Sequence, residues 1–337
     1  CPEKNPGWAC WEVRRPSPYG LMSMQNKIVL QGGGYEAVLF PEAGGALVTL
    51  RKGEWDAFWP CKTAEEAMAA PTRHGLPCLF PPNRIDEGRF TFDGRPYQFT
   101  MKQPNPKRLF SHGFLYTRPW QAVRVEENAV TMRFDCNSHT DFYPDFPHAF
   151  RMDVQYTLTE EGLLQNVCLE NRSSHKMPVG LGWHTAFKLP LSPDAPSDSV
   201  RMRVSVGQRI LLDDRMLPTG EVRALNEAEQ KLRSDEGLSP LYKDLDDHFT
   251  ANPILVDGKP FHGAVLTSVD HRILYEVDPS YRHWMLFNAH SAGNLICIEP
   301  QNWRINAPNL LLPYAVSGLD ILAPGENVSY YSRIRME

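Results

Sequence analysis

The sequence has no CxxC pair, no cysteine–histidine spacing of the zinc-site kind, no run of lysine and arginine, and no apolar stretch of membrane-spanning length. Each absence removes a class of function. Without the spacing for a metal site, none is expected. With 35 Lys+Arg against 40 Asp+Glu and a net charge of −5, no basic surface is expected, and nucleic acid is excluded as a partner. Apolar runs no longer than a strand exclude a membrane helix. Helical periodicity is scarce as well. The 29 prolines and 23 glycines cut the chain into short elements and turns, which favours β over α. Residues 1–24 contain no apolar core of the secretory-signal kind. Cysteine is sparse and odd in number: Cys1, Cys10, Cys61, Cys78, Cys136, Cys168 and Cys297. Cys168 and Cys297 lie in apolar strand patterns, where a free thiol packs as a small hydrophobe. That usage points to a reducing, cytoplasmic setting.

What is present is a chain of 337 residues, 42% hydrophobic, able to bury a large core. No repeat of fixed period and no linker divides it. The reading is one domain over residues 25–337. Residues 1–24 are an N-terminal extension of unknown role, or an arm packed on the domain through Trp8 and Trp11. Strands are expected at 27–30, 35–40, 46–51, 121–125, 130–135, 264–269, 272–277, 284–288 and 328–334. The clearest is 149–159, where Phe150, Met152, Val154, Tyr156 and Leu158 alternate with polar residues. It pairs with 163–170 through a turn at Glu161-Gly162. Asp93-Gly94 joins a hairpin of 89–92 and 96–101. Gly32-Gly33-Gly34 has no helix or Gly-Lys-Ser/Thr after it, so it reads as a turn rather than a phosphate loop. Residues 62–70 form the first plausible helix, and 225–239 carry the other helical signal.

The chemistry concentrates in residues 295–309, LICIEPQNWRINAPN. A strand ends at Glu299, and Pro300 stops its ladder. A carboxylate there is costly unless paired or employed, although a solvated Glu-Pro turn is the plainer explanation. Gln301, Asn302, Trp303, Arg304 and Asn306 suit the floor of a polar cleft. Asn83 and Arg84 follow two prolines, so their backbone is stiff. Arg84 offers a planar fork for vicinal hydroxyls, or is a surface arginine. His112 precedes Gly113 in an apolar frame and reads equally as a core histidine or a pocket donor. His184 follows Gly182-Trp183 near a strand end. Asp246 and Asp247 are consecutive, so at most one faces a given pocket.

In order along the chain, Asn83-Arg84-Ile85, His112-Gly113-Phe114, Gly182-Trp183-His184, Asp247-His248-Phe249 and Cys297-Ile298-Glu299-Pro300-Gln301 resemble the aldose 1-epimerase (galactose mutarotase) family. The resemblance implies an all-β fold, a large antiparallel β-supersandwich with a few short helices and a sugar cleft on its concave face. It implies interconversion of the α and β anomers of a free aldohexose, with no metal or cofactor. By motif, Glu299 is the general base and His184 the general acid; Arg84, His112, Asp247, Asn83 and Gln301 bind substrate. The partner is a monosaccharide, and the protein is a monomer or homodimer. Two alternatives keep the fold: a hexose-6-phosphate epimerase drawing on Arg84, Arg89, Arg108 and Arg118, and a non-catalytic sugar-binding protein. A third reading, a glycoside hydrolase, would use Asp247 and Glu299. Acid and base are expected on opposite sides of one pyranose ring. From ordinary side-chain values of about 4.3 and 6.5, Glu299 is ionised and His184 protonatable, with a bell-shaped rate profile curving between about pH 5 and 8.

Overall fold

The computed structural model describes residues 27–101, 106–192, 195–290 and 294–337; the extension at 1–24 lies outside them. Two eight-stranded antiparallel sheets dominate. The first runs Gln121–Val125, Ala129–Cys136, Phe150–Thr159, Gly162–Asn171, Asn327–Met336, Arg272–Val277, Gly263–Thr267 and Arg201–Val204. In Phe150–Thr159 every second residue is buried, as its alternation predicts. Phe150, Met152, Val154, Tyr156 and Leu158 face a contiguous core that extends from Ile28 to Met336.

The second sheet is the functional one. Its order is Pro218–Arg223, Val206–Leu212, Asp246–Ala251, His283–Phe287, Leu295–Gln301, Gly182–Trp183 and Cys78–Leu79, with Ala186–Lys188 also paired to Leu295–Gln301. Every residue of Leu295–Gln301 is buried. Ile296 and Ile298 enter the main core, while Glu299 points from the opposite face. Helices are few and short. In Ala64–Ala69 the Thr63 hydroxyl caps the Glu66 N–H at 3.2 Å. The stretch at 225–239 reduces to Glu227–Gln230, with a full capping box between Asn226 and Glu229, followed by one tighter turn at Lys231–Arg233.

Gly32–Gly34 is a hairpin turn joining Ile28–Gly32 to Tyr35–Phe40. The aromatic loop at 141–148 packs inward: Phe142 stacks on Phe114 at 4.4 Å, and Phe146 meets Phe80 edge-on. Cys168 departs from expectation. Alternation places it on the partly exposed face of its strand, and it is disulfide-bonded; the other four described cysteines are free. Cys168 therefore lends no support to a reducing setting. No helix among the described residues is long and apolar enough to cross a membrane.

Two left-handed residues, His112 (φ 64°) and Gly113 (φ 68°), turn the chain beside the second sheet. A Cβ on Gly113 would lie 2.1 Å from the Phe80 carbonyl oxygen, whereas one on Gly94, also left-handed, would meet nothing. Gly94→Ala should therefore lose only the backbone term, roughly 1 kcal/mol, and Gly113→Ala clearly more, about 3 kcal/mol or above, in urea unfolding. Equal losses would remove the close approach as the reason for Gly113.

Candidate active site

Strand register brings the two central groups together. Gly182 pairs with Gln301 and Ala186 with Cys297, so His184, midway, lies across from Glu299. Directly opposed residues share a face with Cβ atoms about 5 Å apart. His184 Nε2 sits 3.2 Å from Glu299 Oε1. On the other side Glu299 opposes Met285, which opposes His248. Gln301, two residues on and so on the same face, donates from Nε2 to Glu299 Oε2 at 3.2 Å. Cys297, Phe287 and Asp246 form the adjoining row on that face.

A second segment closes over this floor. Arg84 pairs with Ser111, and the Asn83 carbonyl accepts from the His112 N–H at 2.9 Å. Asn83 and His112 are both left-handed, which bends the two chains together at this point. The His112 ring stands edge-on to His184, centroids 5.2 Å apart. Arg84 Nη2 reaches both oxygens of Asp246, at 2.7 and 2.8 Å. The Arg84 and Asp246 side chains, 17% and 27% exposed, form the open rim, with Glu299 and His184 nearly sealed at the bottom. Four buried polar atoms in this group have no hydrogen-bond partner: Asn83 Oδ1, Arg84 Nη1, His184 Nδ1 and Gln301 Oε1. Such atoms are expensive to leave unsatisfied in a finished core.

Burial sets the proton inventory. It pushes the Glu299 carboxyl up to about 8; Arg84 and the Gln301 bond oppose this, and the Asp246 charge adds to it. Burial also pulls the His184 imidazole down to about 4, although the Asp246 carboxylate favours its protonation. Burial thus works against the expected ionised Glu299 beside a protonated His184. It favours the neutral form of each, with one mobile proton between them. The expected ring-width gap is also absent, since the two side chains touch.

The sequence-derived candidates divide. Glu299, His184, Arg84, His112, Asn83 and Gln301 gather here. Asp247 does not: it lies on the other face of its strand, bonded to Arg209 Nη2 at 2.6 Å and to Lys243 Nζ at 2.7 Å. Burial raises its carboxyl, but those two cations outweigh the effect and hold it below the usual range. Its neighbour Asp246 faces the site instead. Alternation along a strand allowed only one of the two, and the register, which the sequence does not carry, selects Asp246.

His248 is a strut. Its Nδ1 donates to the Trp284 carbonyl at 3.2 Å, and its Nε2 accepts from Ile305 N–H at 3.2 Å. Beyond Gln301, the residues expected to floor a cleft hold backbone together. Asn302 accepts from Leu181 N–H at 2.8 Å, Trp303 donates to the Pro82 carbonyl at 3.2 Å, and Asn306 accepts from Asp86 N–H at 3.1 Å. A crevice of about 580 Å³ bounded by Lys52, Trp55, Asp56, Lys188, His271 and Glu337 shares none of the site residues. Asp56 and Glu337 there are held by arginines, and the His271 ring lies tilted against Trp55 at 4.2 Å.

The sequence profile of the aldose 1-epimerase family matches residues 26–335. A galactose mutarotase-like protein from Clostridium acetobutylicum superposes with a TM-score of 0.87 at 30% identity, covering 92% of this chain and 95% of that one. Human galactose mutarotase is 25% identical over 248 residues, 67% of this chain and 70% of its own length. The uncharacterised protein YphB of Escherichia coli K12 is 29% identical over 113 residues; that match spans only 35% of its length and 33% of this chain.

Asp246→Asn and Asp247→Asn should behave differently in thermal or urea melts. Asp247→Asn strands Arg209 and should cost about 3 kcal/mol, the lower end for a broken buried pair because Lys243 is 41% exposed. Asp246→Asn, at the open rim, should cost about 1 kcal/mol or less. The reverse order would mean that the two aspartates have been assigned to the wrong faces. A pH series tests the burial of Glu299. A carboxyl raised from 4.5 to about 8 contributes stability that is complete below pH 4.5 and is lost as pH climbs through 8. A Gln side chain stays neutral throughout, so the melting temperature of Glu299→Gln minus that of wild type should grow from pH 5 to pH 8.5. A difference independent of pH would mean that Glu299 ionises normally.

Proposed function

This chain belongs to the aldose 1-epimerase family, and we propose that it interconverts the α and β anomers of a free aldohexose through Glu299 and His184. The observation that carries this reading is the register-set contact of the two side chains at 3.2 Å, at the bottom of a group with unsatisfied polar atoms.

Mutarotation opens a hemiacetal. The O1 hydroxyl loses a proton, the ring oxygen gains one, and the C1–O5 bond breaks as O1 becomes a carbonyl. After rotation about C1–C2 the reverse steps close the other face. The reaction transfers no electron and no group, so one base and one acid are enough, each worth about 10²–10⁴-fold. O1 and the ring oxygen are both bonded to C1 and lie side by side, as the carboxyl and imidazole do. In the opening step Glu299 takes the O1 proton and His184, as imidazolium, gives one to the ring oxygen. That step ends with both groups neutral, the state burial favours, and closure runs from it in reverse. Arg84, Asn83 and His112 act as hydroxyl ligands, and Asp246 takes the part first given to Asp247.

The phosphorylated-sugar alternative needs cations to spare. Arg89 and Arg108 both pair with Glu87, and Arg118 with Asp141; of the four, only Arg84 has a buried donor left free, Nη1. This favours an unphosphorylated sugar. A binding-only protein has no need of a sealed acid–base pair.

Polarimetry on fresh α-glucose, α-galactose and glucose 6-phosphate tests the assignment. Wild type should accelerate loss of optical rotation for an unphosphorylated sugar, and Glu299→Gln should lower the rate by about 10²–10⁴-fold. With the pair near 4 and 8, the curvature first expected between about pH 5 and 8 gives way to a plateau: the rate should hold between those values and fall outside them. Below pH 4 no base remains, and above pH 8 no acid. Saturable sugar binding without any acceleration would leave the binding-protein reading standing.

A further inference from the structure

Glu299 is gripped on both oxygens. Oε1 meets His184 Nε2 at 3.2 Å, and Oε2 accepts from Gln301 Nε2 at 3.2 Å. An amide NH₂ only donates. The oxygen it reaches is therefore an acceptor whether the carboxyl is ionised or neutral. A carbonyl oxygen accepts better than a carboxyl hydroxyl, so a neutral carboxyl so held favours its proton on the other oxygen, the one facing His184.

We propose that Gln301 is a positioning residue that keeps the mobile proton of Glu299 in the bond to His184, a role that rests on the anomerase reading of this site. It replaces the sugar-ligand role that the sequence motif implied for Gln301. The surroundings are built for it. Gln301 is completely buried, so it is no rim amide, and its Nε2 is spent on Glu299, which leaves only Oε1 unmet. Its cross-strand partner is Gly182, where a Cβ would come 3.0 Å from Gln301 Cγ and 2.9 Å from Pro82 Cβ. The glycine leaves the space through which the glutamine side chain reaches Glu299. Length matters as well: asparagine is one methylene short, and glutamate would set a second carboxyl against the first.

The chemical consequence concerns the resting state. Opening the ring requires Glu299 ionised and His184 protonated, whereas burial rests the pair with the proton on Glu299. A proton on Oε1 passes to His184 Nε2 along their shared bond, with no solvent and no change in net charge. A proton on Oε2 is out of reach of His184. Gln301, by donating to Oε2, favours the productive position. It also stabilises the ionised carboxyl, because a bond from a donor favours the charged form.

The test is Gln301→Met, which keeps length and bulk and removes the bond, beside wild type and Glu299→Gln. Polarimetry should show kcat lowered by about 10- to 100-fold, as expected for a reacting group released from its position. KM should not change. The alkaline limb should move to higher pH. A second readout does not depend on turnover: the infrared carbonyl band of a buried protonated carboxyl, with Glu299→Gln as the blank, titrated against pH. Its midpoint should rise in Gln301→Met. A raised KM with the limb and band midpoint unmoved would make Gln301 a sugar ligand and overturn the proposal. Lost stability with the midpoint unmoved would make it packing and overturn it too. If wild type accelerates no sugar yet the midpoint rises in the variant, the anomerase reading fails and the hold on the proton stands. If wild type is active and the midpoint is fixed, the positioning role alone fails.

Discussion

The pairing of Gly182 with Gln301 and of Ala186 with Cys297 forces an imidazole against a carboxyl in a place nearly closed to water. A slip of one residue would turn Glu299 into the apolar core and Ile298 toward the site. Register is therefore the constraint on which the chemistry depends, and several features secure it. Gly180 leaves room for the Trp303 ring, against which a Cβ would stand 2.4 Å away. Asn302 bonds to Leu181 in both directions, backbone and side chain. The residues that flank the reacting pair in sequence thus hold its strands in place, and few of them touch the site.

A similar division separates the ionic groups. On one face of Asp246–Ala251, Asp246 joins Arg84 at the rim, with Glu299 in the adjoining row. On the other, Asp247 joins Arg209 and Lys243, and Arg209 lies 3.6 Å from Glu229, which Arg223 binds in turn. In the second group each acid has a cation, and Glu229 also caps a helix, so its charges balance within it; Arg209 Nε and Nη1 and Asp247 Oδ2 still lack a hydrogen-bond partner. In the first, among the described residues, the Glu299 carboxyl meets an imidazole and an amide and no arginine or lysine. Charge balance, more than the tally of unmet atoms, separates the structural network from the site, since a buried acid without a cation is held near its neutral form.

Much of this was legible in the chain, and the rest was hidden for physical reasons. Phe150–Thr159 declared itself because one face is wet, so its pattern alternates. Gly113 and the Asp93-Gly94 turn declared themselves through backbone that few other residues adopt. Glu299 stood out as a charge in an apolar strand, although the strand does not end there: pairing runs on through Pro300 to Gln301. Strands such as Val206–Leu212 and Pro218–Arg223 were silent: bulges interrupt the first, and the second is mostly exposed. The choice between Asp246 and Asp247 turns on pairing with distant residues, which no local pattern contains. Cys168 misled because apolar neighbours in sequence are not neighbours on a face. The proton states were hidden too, because ordinary side-chain values assume water, and both groups are sealed from it.

That last point changes what the site is. An acid and a base on opposite sides of a sugar ring would titrate independently, and each would need its own charge stabilised. In contact and buried, they hold one proton between them, and the pair stays neutral overall whichever member carries it. Moving a net charge into such a place would cost several kcal/mol, whereas moving a proton between touching neutral partners creates only a short dipole. The hemiacetal presents its two oxygens on a single carbon, so the reaction itself asks for an adjacent donor and acceptor. A cross-strand pair of long side chains supplies that spacing as a consequence of sheet geometry.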